Sequence, residues 1–243
     1  MARTLAIGDI HGGLKALKQV LERVKVHPED LLIFLGDYMD GWSESAQTLD
    51  YLIELNKTQS CIFIRGNHDA LVYDWLVTGK TNETWINHGG KSTIKSYQNY
   101  SEEKKEQHKT FIEDLQDYHI DDQNRMFVHA GFQNHNGPQY EHHSTAFYWD
   151  RTFWEMAVGL DKNLKSDDLE YPKRLTHHKE IYIGHTPVTR INRDVPTQMA
   201  NVWNVDTGAA FYGKLSVIDV DTKEYWQSDP VYKLYPEEDG RNA

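Results

Sequence analysis

One cysteine, Cys61, is present in 243 residues, which excludes an intrachain disulfide and a thiolate metal cluster and suits a reducing compartment. No apolar run approaches the roughly 18 residues that a bilayer-crossing helix needs. The first strand pattern begins almost at once, with no charged segment and apolar stretch of a secretory leader before it, so a cytoplasmic protein with no membrane partner is expected. Basic residues are scarce: 26 Lys and Arg against 37 Asp and Glu leave a net charge of −11, which argues against general nucleic-acid binding. A positive metal site inside such a chain can still attract an anionic substrate. Internal repeats and low-complexity linkers are lacking too, so residues 1–243 are read as a single domain.

What the chain does have is a series of polar clusters behind apolar runs: Gly8-Asp9-Ile10-His11-Gly12, Gly36-Asp37-Tyr38-Met39-Asp40-Gly41, Gly66-Asn67-His68-Asp69, His129-Ala130-Gly131, Gly184-His185-Thr186 and Asp206-Thr207-Gly208. Thr4 to Ile7, Leu31 to Leu35, Cys61 to Ile64, Met126 to Val128 and Ile181 to Ile183 read as strands. Leu14 to Val24 and Ser45 to Leu55 read as helices, giving a β-α-β-α-β opening that favours parallel strands. A helical insertion is expected at about residues 70–125, with Ser101 as an N-cap. Gln133 to Tyr148 reads as loop or rim, Asn201 to Val220 as antiparallel strands, and the acidic tail after Pro230 as peripheral.

Strands that end at one sheet edge deliver their next residues to one crevice. Asp9, His11, Asp37, Asn67, His129 and His185 would then supply six oxygen and imidazole donors, a set suited to a two-metal hydrolytic centre. Mn²⁺, Fe, Zn²⁺, Co²⁺ or Ni²⁺ fits this chemistry, whereas a pure Ca²⁺ site would not recruit three imidazoles. Taken alone, a Gly-Asp pair after a strand is often only a turn. Five successive clusters of this composition weigh against that plain reading.

These clusters resemble the phosphoprotein phosphatase family of metallophosphoesterases, in its bacterial branch. Its motifs have the form GD-x-HG, GD-x-x-DRG, GNH-[ED], H-[AG]-G and GHT, and all five occur here in order. Trp85 to Tyr97 is similar to the family's W-x-x-x-GG-x-x-T-x-x-SY segment, Trp149-Asp150-Arg151 with Phe153 to W-x-R-x-x-F, and Asn204 to Ala209 to N-x-DTGA. The resemblance implies a calcineurin-like αββα sandwich, an α/β fold of two mixed sheets with a dimetal site at the sheet edge. It implies two divalent ions, with Mn²⁺ the first choice: Asp9, His11 and Asp37 on one, and Asp37, Asn67, His129 and His185 on the other. It implies His68 as general acid, Asp40 orienting its ring, and Arg151 binding substrate phosphate. The implied activity is phosphomonoester hydrolysis by direct attack of a metal-bound hydroxide, as in a serine/threonine protein phosphatase acting on phosphorylated protein. Alternatives are a small-molecule phosphohydrolase such as a dinucleoside tetraphosphatase, and a non-catalytic binding module.

One position departs from the family. Gly41 stands where the motif has arginine, so one of two phosphate-binding arginines is missing. The open space is expected to admit a bulkier group against Trp42, and Gly41→Arg to improve the Michaelis constant for small monoesters, unless Arg65, Lys91 or another basic side chain already fills the place. Asp206 is read as support for His185 or nearby loops. His88, His142, His143, His177 and His178 are read as rim or surface residues.

Overall fold

The computed structural model describes residues 2–242. The strands are β1 (Thr4–Ile7), β2 (Leu31–Phe34), β3 (Ser60–Phe63), β4 (Tyr118–Ile120), β5 (Arg125–Val128), β6 (Glu180–Ile183), β7 (Thr197–Met199), β8 (Val202–Asn204), β9 (Ser216–Asp219) and β10 (Tyr225–Gln227). They form two five-stranded sheets, ordered β10-β9-β1-β2-β3 and β4-β5-β6-β8-β7. In the first, β1, β2 and β3 are parallel, and β9 and β10 are antiparallel additions. In the second, β5, β6 and β8 are parallel, with β4 and β7 antiparallel at the edges.

The strand period of two explains the layering. Ala6, Ile33, Phe127, Tyr182, Val205 and Ile218 turn inward and meet in a core between the sheets. Their neighbours Leu5, Ile7, Leu32 and Phe34 turn outward, where they pack with Leu17, Val20, Leu21 and Leu49. Those partners belong to α1 (Leu14–Val24) and α2 (Ser45–Leu55), whose apolar faces recur at helical spacing. On the other side Met126, Val128, Ile181 and Ile183 pack with Phe153, Trp154 and Leu175. Helix, sheet, sheet and helix therefore form four layers, the calcineurin-like architecture.

The stretch after β3 holds α3 (Asn67–Thr78), α4 (Glu83–Trp85), a π turn over Ile86–Gly90, α5 (Lys91–Ser96) and α6 (Glu102–Glu113). Gly79 ends α3, and the Ser101 side chain caps α6 by accepting from Lys104 N at 3.3 Å. Helical structure begins earlier and ends sooner than 70–125, because β4 lies inside that range. A three-residue edge strand of mixed polarity, Tyr118-His119-Ile120, has too short a pattern to be read as a strand. The 201–220 region is antiparallel only in part: β9 is antiparallel to both neighbours and β8 to β7, but β8 runs parallel to β6. The rim segment contains a turn of helix, α7 (Ala146–Trp149), that buries Phe147 and Tyr148, and α8 (Thr152–Gly159) follows it.

The tail is not peripheral. It forms α9 (Val231–Leu234), and Val231 and Tyr235 are buried. Two apolar side chains four residues apart suffice to dock a short helix, and its acidic surroundings hide them in the composition. Among the described residues no helix is long and apolar enough to cross a membrane.

Asp30 ties the start of β1 to the loop before β2. Its carboxylate accepts from Arg3 N at 3.0 Å, from Arg3 Nε at 3.2 Å and from His27 N at 2.8 Å. Burial opposes its charge, but the bonds from Arg3 and the His27 amide outweigh that and hold the carboxyl at about 2. A depressed folded-state value stabilises the protein above the ordinary carboxylate range and is lost as pH falls through it towards 2. Asp30→Ala should therefore cost about 1–3 kcal/mol at pH 7 and flatten the acid limb of stability between pH 4 and 2, measured by urea unfolding against pH.

Candidate active site

The carboxyl ends of β1, β2 and β3 in one sheet and of β5 and β6 in the other open onto a common crevice. Asp9 and His11 follow β1, Asp37 follows β2, Asn67 opens α3 after β3, His129 follows β5 and His185 follows β6. All six are buried. The sequence-selected donors are thus brought together and not scattered.

Asp37 is the hinge of the set. Its Oδ2 lies 3.6 Å from His11 Nε2 and 3.4 Å from His129 Nε2. Donor atoms of His11, Asp37 and His68 lie within 4.8 Å of one another, as do those of Asp37, His129 and His185. Asp9 joins the first group, its Oδ2 being 3.9 Å from His11 Nε2. Backbone acceptors aim the rings: His11 Nδ1 donates to Asp40 O at 2.8 Å, and His129 Nδ1 donates to Leu35 O at 2.7 Å, so each turns Nε2 towards Asp37. Asn67 Oδ1 faces His185 Nδ1 at 2.8 Å and His129 Nε2 at 3.2 Å.

Two observations fit a cation pair. Asp9 Oδ1 and His185 Nε2 are buried without a hydrogen-bond partner, a costly condition unless something binds them. The electrostatics also favour a cation: burial, and then the nearby Asp206, push the Asp9 carboxyl well up. Burial opposes a charge on His129, yet Asp37 and Asp9 outweigh it and raise its value to about 10. Hard and borderline divalent ions suit this mixture of carboxylate, amide and imidazole.

The local backbone is built for the purpose. His11, Asp37, Asp40 and His185 have φ of 52°, 54°, 69° and 68°, a left-handed region that side chains adopt only under constraint. Asp69 supplies much of that constraint, accepting from Asp37 N at 2.8 Å, Tyr38 N at 2.9 Å and Gly66 N at 2.8 Å. Gly184 has no side chain because a Cβ there would run into Asp9 Oδ1.

His68 Nδ1 lies 2.8 Å from Asp40 Oδ2, and Asp40 is fully buried. Trp85 Nε1 donates to the same oxygen at 2.7 Å, and Thr93 Oγ1 donates to Asp40 Oδ1 at 2.6 Å. The Trp85 to Thr93 segment therefore aims the aspartate that holds His68, a role its sequence did not disclose. Arg151 precedes α8 and lines the same crevice, its Nη1 3.4 Å from Thr186 Oγ1. Asp206 accepts from Gly208 N at 2.9 Å and makes no bond to His185; its support goes to the loop.

Gly41 and Trp42 differ from expectation. Trp42 is fully buried, donates through Nε1 to Ala209 O at 2.8 Å and stacks on Tyr235 at 5.2 Å, so it offers no face to a ligand. Gly41 has φ +131°, and a Cβ would lie 3.1 Å from His11 O and 3.5 Å from Arg241 Cγ. An arginine at position 41 is strained there, and the gain expected of Gly41→Arg is withdrawn. Arg65 is engaged elsewhere, donating to Glu113 O at 3.1 Å and Leu115 O at 3.3 Å, and Lys91 lines a separate groove. Arg190 and Arg241 do line the crevice, and sequence reading missed both because neither lies in a motif. His177 and His178 are tied to His135 O and Asn124 Oδ1, while His88, His142 and His143 are exposed.

Fold and site together define a metallophosphoesterase, a hydrolase that works with divalent metals. The chain belongs to the calcineurin-like phosphoesterase family, whose model matches residues 2–213. It is 30% identical over 229 residues, 87% of this chain and 88% of the other, to a Bacillus anthracis protein named bis(5′-nucleosyl)-tetraphosphatase PrpE [asymmetrical]. A solved structure described as a putative diadenosine tetraphosphatase superposes with a TM-score of 0.63 at 17% identity, covering 93% of this chain and 92% of that one. A Saccharomyces cerevisiae protein serine/threonine phosphatase superposes with a TM-score of 0.60 at 14% identity, covering 94% and 80%. At such identities the two structures share the fold.

Metal removal should be visible in stability. An ion that binds only the folded chain adds about 2.7 kcal/mol at a free concentration a hundred times its Kd. Chelator dialysis should lower Tm, Mn²⁺ should restore it, and Asp37→Asn should abolish the response, read by thermal unfolding with elemental analysis. Thr93→Val should leave metal content unchanged while lowering turnover of an alkyl phosphate by roughly tenfold, the loss of about one hydrogen bond of positioning.

Proposed function

We propose that this chain hydrolyses dinucleoside polyphosphates unsymmetrically, yielding a nucleoside triphosphate and a nucleoside monophosphate. The observation that carries this reading is the convergence of all six donors and the His68–Asp40 pair in one crevice. It does so in a chain that shares 30% identity, over most of both lengths, with a protein named for that activity. Asp9, His11 and Asp37 would hold one divalent ion, and Asp37, Asn67, His129 and His185 the second. Bound there, the ions supply Lewis-acid activation of water and neutralise phosphoryl charge.

The chain's own side chains do the rest. Arg151 presents its planar fork to phosphoryl oxygens and orients the reacting phosphoryl group in the crevice. A water oxygen adds to that phosphorus and releases a proton to solvent as the P–O–P bond breaks, while His68 hydrogen-bonds the departing oxygen and protonates it where the leaving group is poor. Asp40 fixes the ring and stabilises the imidazolium before transfer. Protein phosphatase activity, the family's best-known chemistry, has less behind it. The phosphatase neighbour shares the fold alone.

A substrate panel with Mn²⁺ decides between them. Diadenosine tetraphosphate should be turned over with kcat/KM at least about tenfold above a phosphoserine peptide, giving ATP and AMP by chromatography. The reverse preference would overturn the reading. His68→Asn should cost roughly 10²–10⁴-fold on an alkyl phosphate and far less on diadenosine tetraphosphate. The reason is that triphosphate departs with little need of a proton. Equal losses would remove His68 as proton donor.

A further inference from the structure

The C-terminal segment, which lies beyond the family match at residue 213, reaches back to the crevice with an arginine. Its course is fixed by several anchors. Val231 N donates to Gly213 O at 2.9 Å, and Tyr235 stacks on Trp42 and receives a bond from Lys15 N at 3.0 Å. Glu238 accepts from Ser43 N at 2.9 Å and Ser43 Oγ at 2.6 Å, and Arg241 N donates to Ala210 O at 2.9 Å. Arg241 then passes beside Gly41, its guanidinium 5.3 Å from the centroid of Phe211. Its Nε is buried with no hydrogen-bond partner.

Arg151 and Arg190 line the same crevice, and among the described residues none of the three arginines has a carboxylate at ion-pair distance. Cations gathered side by side repel one another. Burial, followed by Arg190 and Arg241, lowers the Arg151 guanidinium from its ordinary value. Asp37 and Asp206 line the crevice as well, but neither pairs directly with a guanidinium. The guanidinium forks are thus left free for an anion from outside. One phosphoryl group, held by Arg151 and the donor cluster, does not need two further forks. A phosphate chain, which adds about one charge per link, does.

We propose that Arg241, delivered by the C-terminal tail, acts with Arg190 to bind a second phosphoryl group next to the reacting one, so that the tail makes the site selective for phosphate chains. This rests on the reading of the crevice as a phosphoryl-transfer site.

Calorimetry on the full-length, metal-loaded protein tests it with two probes, inorganic phosphate and methylenediphosphonate, which cannot be hydrolysed. Arg241→Gln should weaken diphosphonate binding roughly ten- to a hundredfold and phosphate binding by less than about threefold, at unchanged Tm. Arg241→Lys should fall between, since a point charge lacks the planar fork. If Gln loosens the tail, Arg241→Met keeps an apolar stem beside Gly41 and should give the same pattern. Unchanged diphosphonate affinity in these variants would overturn the proposal, as would equal losses on both anions. Failure of the native protein to cleave diadenosine tetraphosphate, with the diphosphonate pattern intact, would instead overturn only the substrate named above.

Discussion

The carboxylate of Asp37 is the point on which the rest of the site depends. It stands between His11 and His129, whose Nε2 atoms approach its Oδ2 from the two sheets, and its other oxygen accepts from His68 N at 2.9 Å. A buried anion in that position is stable only if every direction around it offers a donor or a cation. That requirement explains why three strand ends and the start of α3 crowd together there. It also explains why Asp69 is spent on backbone: three amides bound to one carboxylate lock the turn that keeps Asp37 at φ 54°.

Around this point the protein separates two kinds of charge. Carboxylates and imidazoles cluster in the crevice, a mixture that calls for divalent ions, while three arginines line it without direct ion pairs. Between them sits the His68–Asp40 pair, insulated from solvent and braced by Trp85 and Thr93. Those braces come from the helical stretch after β3, so that stretch is part of the site's scaffold. The tail plays a similar part from the other side, packing Tyr235 on Trp42 and carrying Arg241 inward.

Much of this was legible in the chain itself. The apolar runs gave the parallel strands and both flanking helices, with α1 and α2 ending at the residues their periodicity marks. The polar residues behind those runs gave the donors, because a parallel strand must release its next residues at one sheet edge. Short edge strands escaped: β4, β7 and β10 have three residues each, too few for an alternation to stand out. Trp42 was misread because an aromatic beside a glycine-rich loop has no sequence mark for burial, and it is Tyr235, nearly two hundred residues away, that covers it.

By itself, then, the sequence determined the order of strands and helices and the chemical identity of the donors, since both follow from local periodicity and residue type. Only the tertiary structure decided which groups surround Asp40, that Asp206 serves a loop, that Gly41 is closed to a side chain, and that the tail's arginine enters the crevice. The partners of Asp40 come from 28 to 53 residues away and Arg241 from the far end of the chain, while the Asp206 bond and the Gly41 constraint are matters of local backbone conformation. No local pattern encodes either, because they arise when separately folded elements pack and exclude one another's space.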